Sequence, residues 1–137
     1  MQKILLGLCF CVVLLNSFTQ PKPVDKQVLE RGKKVYETVC MACHQVDGEG
    51  IPRMAPPLVK TKWVLGDKKK LIQIVLKGLP GGEIEIDGET FANAMPPQET
   101  TLTDQQIADV LTYVRNSFGN KASVVSAGEV KVARKGK

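Results

Sequence analysis

Apolar residues recur at Val28, Val35, Val39 and Ala42 on an otherwise polar background. Spacings of three, four and seven predict one face of a helix running from about Asp25 to Cys43. Gly32 and Tyr36 lie on the same stripe, one turn apart. That glycine either admits a second helix at close range or is merely tolerated in an exposed turn. From Gln45 to Trp63 the run of Gly48, Gly50, Pro52, Pro56 and Pro57 predicts a loop. Asp67 is a good N-cap for a helix reaching Leu76 or Lys77, stopped by Gly78, with Leu71, Ile72, Val75 and Leu79 inward. Glu83-Ile84-Glu85-Ile86 alternates charged and apolar positions, Asp87-Gly88 is a tight-turn signal, and Thr90-Phe91 returns: a short hairpin. It delivers the chain to a loop stiffened by Pro96 and Pro97 around Met95. Thr103 with Gln106 forms a capping box and opens a helix to about Phe118. Ile107, Val110, Leu111, Val114 and Phe118 face inward, and Gly119 is the stop. Ser126 and Glu129 are placed to cap one last short helix. The pattern predicts an all-α fold of three to four main helices with a β-hairpin inserted, and it contains no internal repeat.

The first twenty residues read differently. Lys3 precedes an apolar run from Ile4 to Leu15, and polar residues and Pro21 follow. That is the pattern of a signal peptide, and the run is shorter than the roughly 20 residues a membrane span needs. Residues 1–20 are therefore expected to be an export signal, cut near residues 17–20, with an uncleaved anchor as the alternative. Cys9 and Cys11 lie inside the run rather than after it, which argues against lipid attachment. Residues 21–120 are expected to form one domain and 121–137 a tail. No stable membrane insertion is expected after signal removal, and the expected compartment is the periplasm.

Charge narrows the partners. Without Lys3 the chain carries eighteen Lys and Arg against fourteen Asp and Glu. So small and dispersed an excess does not suit nucleic acid, but it suits transient docking to an acidic surface. Lys33, Lys60 and Lys62 are candidates for such a surface, although solvated lysine is the ordinary reading. A monomer is expected.

The candidate chemistry lies at Cys40-Met41-Ala42-Cys43-His44. With the signal gone, Cys40 and Cys43 are the remaining cysteines, and His44 is the single histidine of the chain. A C-x-x-C-H run is the pattern of covalent haem attachment: two thiols for two vinyl groups, and an adjacent imidazole for the iron. A zinc site would need about four ligands, and no further Cys or His follows. A redox disulfide of the thioredoxin kind would follow a strand and open a helix, whereas this pair closes one. With one histidine, bis-histidine ligation within the chain is excluded. The other axial ligand is a methionine, another weak donor, or nothing. Met41 lies inside the motif on the side of His44; Met54 sits in the glycine–proline loop; Met95 has enough chain before it to reach the opposite face.

The sequence resembles the monohaem class I cytochromes c of the bacterial soluble kind over about residues 25 to 120. The likeness rests on Gly32 and Tyr36, on Cys40, Cys43 and His44, on Pro56-Pro57-Leu58, on Met95-Pro96, and on Leu111, Tyr113 and Val114. It implies the cytochrome c fold, an all-α shell around one haem c, with first and last helices crossing at the glycine. Carried over, Cys40 and Cys43 hold the haem, and His44 and Met95 ligate iron. The Pro56 carbonyl accepts the His44 ring N–H, Tyr113 packs near the first helix, and Trp63 lies against a haem propionate. The implied function is single-electron transfer without catalysis, between redox donors and acceptors such as a dehydrogenase, an oxidase or a reductase. Its variants are a dedicated haem subunit of a larger dehydrogenase or reductase complex and, with an open distal site, a gas sensor. The hairpin at 83–91 and the tail beyond Asn120 elaborate the minimal pattern.

Overall fold

Asp25 starts the first helix as its side chain allows, accepting the Gln27 N–H at 2.8 Å. The structure, a computed structural model, describes residues 23–81 and 83–136. The expected export signal, with Cys9 and Cys11, lies outside the described residues. Helix α1 (Lys26–Val35) continues through a π-helical turn (Tyr36–Cys40) into α2 (Met41–His44). This corrects the predicted stripe at one position. A π turn takes up about one residue more than an α turn, so the face beyond it moves on by one. Val28, Val35 and Val39 are half-buried, but Ala42 is exposed.

Helix α4 (Lys68–Lys77) keeps its predicted limits, running from the Asp67 cap to Gly78, whose φ of 70° only glycine adopts without strain. Before it, Thr61 caps a short α3 (Lys62–Leu65) inside the stretch read as loop. Four residues are too few to show a period. The hairpin forms as predicted, β1 (Ile84–Ile86) antiparallel to β2 (Glu89–Phe91), with Ile84 opposite Phe91. Helix α5 (Asp104–Asn116) opens on the Thr103–Gln106 capping box and ends earlier than its pattern suggests. Phe118, at φ 56°, turns back so that its ring packs on Tyr36 and Tyr113. Helix α6 (Ala127–Lys135) opens on the Ser126–Glu129 capping box.

Helices α1 and α5 cross at Gly32, which decides between the two readings of that glycine. A Cβ there would stand 2.7 Å from the Tyr113 Cβ and closer still to the Asp109 carbonyl oxygen. The crossing is locked at one side by Arg31, whose Nε donates to Asp109 at 2.7 Å. Below it, Tyr36, Val64, Val110 and Val114 form one buried cluster. The rings of Tyr36, Tyr113 and Phe118 meet pairwise at 5.3–5.7 Å between centroids. The Tyr36 hydroxyl donates to the Gln45 carbonyl at 2.6 Å, tying the aromatic group to the end of α2.

The second cluster joins α4, α5 and α6 through Leu71, Ile72, Leu76, Ile107, Leu111, Val130 and Ala133. The α6 helix therefore shares the main core. Arg134 reinforces this, pairing with Asp104 at 2.7 Å and donating to the Leu102 carbonyl at 3.0 Å. Among the described residues no helix is long and apolar enough to cross a membrane.

Candidate functional site

Between these clusters lies a cavity, and the C-x-x-C-H run borders it. The π turn ends at Cys40 and α2 carries Cys43 and His44, so one turn of backbone sets both thiols and the imidazole on the cavity wall. The helix then stops abruptly at Gln45, with φ 62°. The two cysteines are not bridged. Burial, with the neighbouring Cys43 adding to it, pushes the Cys40 thiol up to about 11. Cys40 thus presents a neutral thiol rather than a reactive thiolate.

His44 is oriented by backbone. Its Nδ1 lies 2.9 Å from the Pro56 carbonyl oxygen. A carbonyl only accepts, so Nδ1 carries the proton and Nε2 is left with a free lone pair. Burial lowers the affinity of the ring for a second proton, and the Pro56 bond partly opposes this. The loop holding Pro56 is itself fixed. Gly50 N–H donates to the His44 carbonyl at 3.1 Å, and Leu58 N–H donates to the Gly48 carbonyl at 2.7 Å. Gly50, at φ 73°, lies so flat that a Cβ there would stand 2.7 Å from the Pro56 oxygen.

Met95 lies on the same cavity, carried by a different part of the chain. Its backbone forms a two-bond bridge with Leu79, at 2.9 and 3.0 Å. Gly78 lies against it, and a Cβ there would sit 2.8 Å from Pro97 N and nearer still to the Met95 oxygen. The next residues close onto the end of α4, Gln98 N–H to Val75 and Glu99 N–H to Leu76, at 3.0 and 3.1 Å. The other two methionines among the described residues are placed differently. Met54 borders the cavity but is 49% exposed, two residues from the carbonyl that holds His44. Met41 packs against the Tyr36–Val64 cluster.

The walls between are apolar. Val75, Leu102, Val110 and Leu111 come from the core, and the hairpin adds Ile84, Ile86 and Phe91. The hairpin is joined to the His44 side where Arg53 N–H donates to Glu89 at 3.1 Å. Trp63, on α3, also lines the cavity, and its buried Nε1 has no hydrogen-bond partner among the described residues. An orphaned buried donor costs about 1–3 kcal/mol, so this one calls for an acceptor. Two unbridged thiols, a lone-pair imidazole nitrogen, a thioether, apolar walls and one unmatched N–H together suit a flat apolar macrocycle. Its metal would take a nitrogen and a sulfur, and its edge would carry acceptors.

The hairpin wall was not legible as part of the site, and of α3 only Trp63 was expected there, by resemblance. Arg115 and Asn120 were not singled out by the sequence either, yet both are buried and hold the cavity rim. Asn120 accepts from Lys60 N–H at 2.7 Å and donates to the carbonyls of Leu58 and Val114 at 2.9 and 2.8 Å. Only the Gly119 stop signal beside Asn120 pointed to that region.

Comparison with known proteins gives a consistent result. The family model for cytochrome c matches residues 29–118. The gluconate 2-dehydrogenase cytochrome c subunit of Pantoea cypripedii is 37% identical over 128 residues, covering 86% of this chain and 28% of that protein. The cytochrome c subunit of the quinone alcohol dehydrogenase of Gluconobacter oxydans (strain 621H) is 36% identical over 107 residues, covering 75% of this chain and 22% of that protein. Cytochrome c-552 of Thermus thermophilus is 35% identical over 112 residues, covering 75% of this chain and 83% of that protein. The chain thus spans about a quarter of the length of the dehydrogenase subunits it matches.

Proposed function

The chain belongs to the cytochrome c family, and from that premise we propose that it is a single-electron carrier whose one haem c has its iron between His44 and Met95. Covalent attachment through Cys40 and Cys43 comes with the family and with the spacing of these residues. The observation that carries the axial pair is that His44 and Met95 border one cavity, each on backbone pinned by its own hydrogen bonds. The bound haem supplies the one-electron exchange, and methionine opposite histidine raises its potential relative to two histidines.

The chain's own residues do the rest. Pro56 holds the imidazole in the tautomer that leaves Nε2 to the metal. Leu79 and Gly78 hold the Met95 backbone in place, so that a change of charge at the metal need not move either ligand. The apolar walls exclude water, which limits solvent rearrangement on electron transfer. With His44 and Met95 both given to the metal, no position would remain for a substrate, and the domain would carry electrons without catalysing a reaction. Its donors and acceptors are redox proteins such as a dehydrogenase, an oxidase or a reductase, met in the periplasm by a monomeric carrier. The names of two of the relatives favour a second reading, a haem subunit attached to a dehydrogenase. Co-elution with a larger partner through gel filtration at moderate salt would select the subunit, and elution as a lone small protein would select the shuttle.

The holoprotein is expected to give one reversible one-electron wave at an electrode, and its ferrous spectrum is expected to stay unchanged under carbon monoxide at neutral pH. Binding of carbon monoxide would replace the carrier with a sensor. Gly78→Ala should weaken the Met95 side without touching His44, because the new Cβ meets backbone at a φ only glycine tolerates. The variant should bind carbon monoxide measurably. Gly128→Ala on α6, where a Cβ would meet nothing nearer than the Ser126 hydroxyl at 3.9 Å, should not.

A further inference from the structure

Arg115 is 2% exposed, and among the described residues it makes no ion pair. A buried guanidinium without a carboxylate is costly unless its donors are matched by good acceptors. Its donors are matched almost wholly by backbone. One terminal nitrogen donates to the Val64 carbonyl at 2.5 Å and to the Gly66 carbonyl at 3.3 Å. Nε donates to the Ser123 carbonyl at 2.9 Å, and the other terminal nitrogen to the Ser123 hydroxyl at 3.2 Å. Val64 and Gly66 are the C-terminal carbonyls of the α3 turn, where a cation also complements the helix dipole. Helix α3 has only four residues and cannot hold itself together alone. Thr61 closes its start, where its hydroxyl accepts the Val64 N–H, and Arg115 closes its end. Between these two anchors sits Trp63, with its unmatched buried N–H on the cavity.

We infer that Arg115 is a positioning residue for Trp63: the guanidinium fixes the α3 turn so that the indole N–H meets an acidic edge group of the macrocycle. This rests on the haem reading above. A matched N–H draws charge from a carboxylate edge group, which disfavours the ferric form. Losing it shifts the equilibrium toward ferric. A lysine at 115 keeps the buried charge and most of the stem but has no planar fork to span Val64, Gly66 and Ser123 together.

Trp63 is the only tryptophan, so its indole N–H is a single unambiguous proton in the ferrous holoprotein. In Arg115→Lys its hydrogen exchange should quicken at least about thirtyfold while the Ile107 and Ala108 amides of α5 keep their rates. Trp63→Phe should shift the equilibrium about threefold toward ferric, about 28 mV at 59 mV per decade for one electron. Arg115→Lys should shift it similarly, and the double variant no further. Equal quickening of the α5 amides, additive shifts, or failure of Arg115→Lys to fold would each overturn the inference in favour of a purely structural arginine. If the wild-type indole exchanges freely and Trp63→Phe leaves the potential unmoved, the fault lies instead with the placing of Trp63 against the macrocycle.

Discussion

Met95→Ala is expected to convert the holoprotein from a closed, low-spin carrier into one that binds carbon monoxide, with a potential lower by on the order of a hundred millivolts. On the proposed ligation alanine cannot take the place of Met95, and among the described residues no second methionine is in position to do so. Met41 is committed to the Tyr36–Val64 cluster, and Met54 rides on the loop that holds His44. Axial ligands set haem potentials over a range of about 0.8 V, so loss of one moves the potential far more than any change in the cavity wall. The ferric protein should lose its weak sulfur-to-iron absorption at the red end of the visible and gain a high-spin spectrum. Met54→Ala should keep the absorption, the potential and the indifference to carbon monoxide. The reverse pattern, loss in Met54→Ala and retention in Met95→Ala, would transfer the ligand role to the exposed loop.

Gly32→Ala should give the largest loss of stability per atom added. The new methyl would meet the Asp109 carbonyl and the Tyr113 Cβ, and the first of these is backbone that cannot rotate away. Helices α1 and α5 must then separate along the whole crossing, straining the Arg31–Asp109 pair and the packing of Tyr36 on Tyr113. Overpacking of this kind costs about 1–3 kcal/mol or more, and the better helix propensity of alanine returns about 1 kcal/mol. A net loss of about 2 kcal/mol should appear as a melting point lower by about 8 °C in the ferric holoprotein. Because α1 leads into the attachment helix, haem incorporation during maturation should fall as well. An unchanged melting point would mean that the helices have room to spare at Gly32.

Much of this molecule is written in short stretches of chain. Asp67 and Gly78 bracket α4, and the pairs Thr103–Gln106 and Ser126–Glu129 open α5 and α6, because caps and stops act within one turn of backbone. The Asp87-Gly88 turn and the alternation beside it specify the hairpin in the same local way. The attachment run is likewise local: two residues between thiols and a histidine next to the second. Where local signals were weak or shared, the reading went astray. Ala42 left the predicted face because a π turn intervened, and nothing in the apolar spacing announces a π turn. Phe118 kept its inward role but left the helix, since its ring is held by Tyr36 and Tyr113 rather than by helical backbone.

The residues that complete the site needed the tertiary structure. The bond between His44 and Pro56 was expected only by resemblance, and the loop that sets it at 2.9 Å depends on Gly48 and Gly50 meeting residues on its far side. Arg115 and Asn120 look like ordinary polar residues at the end of a helix. They become structural when α5 brings them under residues 58–66, about fifty to sixty positions earlier in the chain. The sequence by itself determined the longer helices, the hairpin and the thiol–imidazole run, since each depends on interactions among neighbours. The crossing at Gly32, the meeting of His44 and Met95 on one cavity, and the clamp on Trp63 were decided only by tertiary structure. Distances between remote segments follow from how whole faces pack, which no single stretch of chain encodes.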